Sequence, residues 1–124
     1  MTIDLIDTDY LLIQPNSHLT PGMVQWPMEP GYDAISQLVT PLLDGAQLEH
    51  VRVWLTPDYK PNQAGAYTDM FVDDMGLLKG LPINSLATKI YRANILTHDP
   101  KLAATMELPF IHGPAVLFSR RVWY

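Results

Sequence analysis

Residues 67–96 read YTDMFVDDMGLLKGLPINSLATKIYRANIL, and the reading of this stretch decides the fold. Met70-Phe71-Val72 is a short apolar run suited to a strand. The spacing predicts a tight turn at Asp74-Met75-Gly76, with Gly76 in the left-handed position, and a short return through Leu77 and Leu78. Gly80 breaks that return, and a helix opens beside Pro82, capped by Asn84 or Ser85. Ala87, Ile90, Tyr91 and Ile95 then recur on one helical face. Asn94 falls on the same stripe, where a buried amide needs a partner.

Upstream, Ile35, Leu38, Val39, Leu42 and Leu43 mark a helix started by Pro30-Gly31 and stopped by Gly45. Pro41 lies inside it, so its last turn is expected to kink or separate. Leu48–Leu55 alternates as a strand, with Val51, Val53 and Leu55 opposite His50, Arg52 and Trp54. Tyr10–Gln14 is a further strand. Prolines at 15, 21, 27 and 30 forbid regular structure across most of residues 15–31. This segment is expected to be pinned to the core by Met23, Val24 and Trp26, with a brief edge strand as one form and a functional loop as the alternative.

Downstream, Asp99-Pro100 starts a short helix over Lys101–Glu107 that stops before Pro109. Ala115-Val116-Leu117-Phe118 is apolar throughout, as in an interior strand covered on both faces. The order of elements predicts a single α+β domain over residues 1–124. It holds a small, mostly antiparallel sheet of four to five strands, with two to three helices packed on one face.

With 124 residues the chain can bury a core without staples, and its lack of cysteine excludes disulfides, thiolate metal sites and a cysteine nucleophile. No apolar run approaches the ~18 residues of a membrane span. The opening MTIDLIDTDYLL carries acids where a secretion signal carries bases, so a cytoplasmic location is expected. Residues 1–74 hold two basic residues against eleven acids, a balance of −9, whereas residues 75–124 hold six against two, a balance of +4. Such a division suits acidic and basic interaction faces, although folding also interleaves the two halves.

The run MFVDDMGLLKGLPINSLAT, followed by IHGPAVLF, resembles a domain-of-unknown-function family numbered 3846, spread through bacteriophages and bacteria. The positions that carry the resemblance are Asp73-Asp74-Met75-Gly76, Leu81-Pro82-Ile83-Asn84, Ala87-Thr88 and Gly113-Pro114. It spans residues 33–118, flanked by an N-terminal strand and Pro-rich loop (1–31) and a basic-aromatic tail (119–124). Thr40-Pro41 stands where similar chains carry a glycine pair. The family brings no established activity, so the resemblance implies only a small accessory protein of phages or mobile elements.

For chemistry, Asn84, Asn94, His112 and Arg120 are the candidate ligand-binding residues. An amide at a helix start can orient a ligand, a histidine near a strand start can serve as a base, and Arg120 can bind an anion. Asn84 has the plainer role of a cap, and His112 that of a loop histidine. Asp69, Asp73 and Asp74, with Arg121 and Trp123, are the candidate partner-binding residues. Adjacent Asp73 and Asp74 point to opposite sides of a strand, which argues against a shared metal ion. The four histidines show no ligand spacing, and phosphate-cradling and dinucleotide-binding glycine patterns are absent, so neither metal nor cofactor is expected. Arg120, Arg121, Trp123 and Tyr124 interleave basic and stacking side chains, the composition of a nucleic-acid patch, against an acidic chain that opposes phosphate. The leading expectation is a non-enzymatic protein that binds a protein partner, with a homo-oligomer also open. Its rivals are a small-molecule or enzymatic site near Asn84 and His112, and nucleic-acid binding through the tail.

Overall fold

A computed structural model of the chain describes residues 5–16, 18–27, 32–55, 67–98, 100–105 and 108–118. In chain order the elements are β1 (Leu5–Ile13), β2 (Leu19–Pro27), α1 (Tyr32–Val39), a 3-10 turn (Thr40–Leu43), β3 (Leu48–Leu55), β4 (Tyr67–Asp73), α2 (Ser85–His98), α3 (Pro100–Thr105) and β5 (Ala115–Phe118). The five strands form one antiparallel sheet in the order β2-β1-β5-β4-β3, an α+β fold.

The all-apolar β5 takes an interior place in the sheet, where both of its faces and both of its edges are covered. Leu117 lies between Leu11 and Met70, and Val116 between Leu12 and Phe71. Alternation along the strands then divides the core in two. On one side Leu11, Ile13, Met70, Val72, Ala115 and Leu117 pack with Ala87 and Ile90 of α2. On the other, Trp26, Phe71, Val116 and Phe118 pack with Ile35 and Val39 of α1 and Leu43 of the 3-10 turn. Ring centroids there stand 5.0 Å (Trp26–Phe118) and 5.8 Å (Phe71–Phe118) apart. Each large apolar side chain so buried contributes about 1.5–3 kcal/mol, and β5 supplies Val116, Leu117 and Phe118 to the two cores.

Helices therefore cover both faces, where the element order predicts them on one. The doubly apolar pattern of β5 already required two covers, since a continuous apolar strand leaves no wet side.

Residues 19–27 take the edge-strand form, but over nine residues where only a brief strand is expected, paired with β1 from Ile13↔Leu19 to Leu5↔Pro27. An edge strand accepts proline where the missing N–H would face away from its neighbour. Pro21 and Pro27 are an even number of residues apart, so both fall on one such phase. Trp26 and Val24 face the core, but Met23, one place out of phase, is 51 % exposed.

At the other end of β4, residues 74–80 wind through consecutive turns instead of returning as a strand. Gly76 N–H donates to Asp73 O, Lys79 N–H to Met75 O and Leu81 N–H to Gly76 O. Leu77 and Leu78 consequently point outward, 68 % and 78 % exposed. Gly80, not Gly76, takes the left-handed conformation (φ 71°). Gly76 is required for a different reason: a Cβ there would lie 2.3 Å from the backbone oxygen of His112. The helix at 32–43 separates into α1 and the 3-10 turn at Pro41, ending on left-handed Asp44 and Gly45.

Candidate functional site

α2 begins at the point where three segments of chain meet. Pro82 has no N–H to donate, and its carbonyl accepts from Gly113 N–H (2.8 Å). Ile83 bridges His112, and Asn84 N–H donates to Ile111 O (2.7 Å). The Asn84 side chain is wholly buried. Its Nδ2 donates to Ile13 O and to Gly113 O, both at 2.9 Å, while Oδ1 accepts Ala87 N–H at 3.1 Å. Both amide hydrogens are thus committed, one to the end of β1 and one to the approach to β5, and the oxygen caps α2. Thr88 Oγ1 accepts Ile111 N–H (2.9 Å) and extends the lock by one turn. Asn84 leaves no polar atom for a ligand.

Beside this lock opens a cleft of about 550 Å³. Its walls come from β3 and the end of β4, from α2 and from residues 109–112. Val51, Ile95 and Phe110 make it apolar, and Glu49, Asp74, Tyr91, Asn94 and His112 give it polar points. Of the four candidate ligand residues, the structure thus brings Asn94 and His112 to one cavity. Asn84 lies buried outside its lining, and Arg120 is outside the described residues. Asn94 Nδ2 donates back to Ile90 O (3.0 Å), the partner its place on the stripe required. His112 Nδ1 lies 3.0 Å from Leu81 O. A carbonyl only accepts, so Nδ1 carries the hydrogen and Nε2 remains as the ring's second polar atom.

Of the three acids, Asp69 is fully buried, with its carboxylate 2.5 Å from His50 Nε2. Asp73 is also buried. Burial opposes its ionisation, but the Lys79 ammonium (2.7 Å) and the backbone N–H groups of Met75 and Gln47 outweigh that, and its pKa is lowered. Asp74 alone is exposed, at the cleft mouth, where it accompanies Glu49. The Glu49 pKa is raised, first by burial and then by the charge of Asp74 and a hydrogen bond with its side chain. This carboxyl pair at an apolar mouth is an anionic locus whose repulsion a cation would relieve. Among the described residues no group of three or more His, Asp or Glu is placed to hold a metal ion. Arg121 and Trp123 lie outside the described residues.

Glu49, Tyr91 and Phe110 are the cleft residues that sequence reasoning missed. Tyr91 counted only as part of a core stripe. Glu49 meets Asp74 through the pairing of Glu49 with Val72 across β3 and β4, which no local pattern encodes. No family model, no curated protein and no solved structure matches this chain.

Proposed function

We propose that the chain acts by binding, and that its cleft receives a basic side chain, lysine or arginine, presented by a protein partner. The observation that carries this reading is the Glu49–Asp74 carboxyl pair at the mouth of an apolar cleft. A long basic side chain lays its stem along Val51, Ile95 and Phe110 and sets its charge between the two carboxyls. Charge-assisted hydrogen bonds of this kind are about twice as strong as neutral ones. The resemblance to family 3846 adds an accessory role in phages or mobile elements as the setting.

A second reading, a small organic cation as ligand, is favoured by the convergence of Asn94 and His112 on the same cavity. Nitrogen-15 NMR titration with blocked arginine and lysine amides, with citrulline as the neutral control, tests both. Perturbation centred on Glu49, Asp74 and Tyr91, lost in Glu49→Gln and Asp74→Asn and absent with citrulline, supports a cation site. Tighter binding as the probe is extended into a peptide assigns it to a protein partner, and no gain assigns it to a free small molecule. Equal response to citrulline refutes the charge-based reading.

A further inference from the structure

α2 covers only part of its side of the sheet. The register puts Leu5, Asp7 and Asp9 of β1 on the same side as Leu11 and Ile13, opposite Pro27, Gln25 and Met23 of β2. This strip is open: Leu5 and Met23 are each 51 % exposed, and Leu19 is 36 % exposed. Its charges among the described residues, Asp7 and Asp9, are both acidic, and Gln25 Nε2 donates to Asp7.

The outward side of α2 has the opposite character. Lys89, Arg92, Ala93 and Leu96 follow at helical spacing and, with Ile83 and Phe110, line an open groove of about 420 Å³. Ile83, Leu96 and Phe110 are 43 %, 59 % and 51 % exposed. Among the described residues no acid lines this groove. Arg92 stacks over the Phe110 ring at 4.2 Å and donates through Nη2 to Leu108 O (2.9 Å), while its buried Nε has no partner among the described residues. Eight large apolar side chains are exposed among the described residues, and six of them stand on these two surfaces. Singly scattered apolar residues need no explanation, but two concentrations with opposite charge do.

We propose that the chain pairs with a second copy of itself about a two-fold axis, each α2 lying on the acidic strip of its partner. α2 and the strip occupy different parts of one side of the sheet, so a half-turn about an axis between them exchanges the two and closes the assembly. The two α2 helices then lie side by side in one layer between two sheets. Lys89 and Arg92 of each copy face Asp7 and Asp9 of the other, and the apolar residues of groove and strip are buried together. This inference does not rest on what the cleft binds, although Phe110 borders both surfaces.

Sedimentation velocity on the full chain, from about 1 µM to about 300 µM, reads the association directly. A dimer that weakens with added salt is expected. Lys89→Glu or Asp9→Lys alone should raise the dissociation constant by about tenfold or more. Combining them in one chain should restore it to within about threefold, because the reversed charges meet across the axis. That rescue separates a lost contact from a damaged fold. A chain that stays monomeric throughout overturns the proposal, as does a dimer indifferent to the single reversals or one the double reversal fails to restore. A monomer whose Leu96 and Phe110 signals move on adding an acidic amphipathic peptide would also overturn it, giving the groove to a different protein.

Discussion

Replacing Asn84 probes the joint on which the fold closes. Asn84→Ala removes the cap of α2, a loss of about 1 kcal/mol. It also strips the Ile13 and Gly113 carbonyls of a buried donor, at about 1 kcal/mol or more each. The sum is about 3–4 kcal/mol, a large part of the roughly 5–15 kcal/mol that holds a domain together. Asn84→Asp is the sharper test. It keeps the capping oxygen and puts a negative charge at a helix N-terminus, worth about 0.3–1 kcal/mol if capping were the whole role. As a lock it fails, since a carboxylate has no hydrogen for either carbonyl and repels both. Equilibrium unfolding in urea should therefore rank Asp no better than Ala, with both well below wild type. An Asp variant within about 0.5 kcal/mol of wild type would refute the lock and leave only a cap.

Gly76→Ala should cost about 1–3 kcal/mol in the same assay, because its Cβ meets the His112 carbonyl and the turn must move. Unchanged stability would mean residues 74–80 are not packed against His112. Asp73, with its lowered pKa, contributes stability that is present above its unfolded value of 3.8 and lost as pH falls through the folded value; Asp73→Asn should flatten that acid limb of a denaturation series. Glu49 works in the opposite sense. Its raised pKa adds stability while it is protonated, and this is lost as pH climbs from 4.5 through the folded value, so Glu49→Gln should remove the decline. A Glu49→Gln series that parallels wild type across that window would contradict the carboxyl pair.

What the sequence made legible was local. The strand at Leu48–Leu55, the helix stripe through Ala87 and Ile90, the break at Pro41 and the central place of the all-apolar β5 all follow from spacing and residue type. The edge strand was legible only as a brief one, because proline forbids a strand only where its N–H is wanted, and which residues lie at an edge is a property of the finished sheet. The turn at 74–80 was hidden for a similar reason. A glycine after two acids looks the same whether it supplies a positive φ or makes room, and the atom it makes room for, His112 O, is distant in sequence. Of the candidate residues, Asn84 proved legible as a cap but not as a tie between three segments. The cleft depends on the meeting of Glu49 with Asp74, and of α2 with residues 109–112, which only the tertiary pairing produces.

The claim that the cleft is built to receive a cation can be put to one titration. The side-chain carboxyl of Glu49 would be followed by carbon-13 NMR against pH, first in the free chain and then saturated with an N-acetyl-arginine amide. The account predicts a pKa above the ordinary glutamate value in the free chain, because of burial and Asp74, and a fall on saturation as the guanidinium enters between the two carboxyls. A Glu49 titration that begins at the ordinary value, or that stays where it was when the amide is bound, would contradict it.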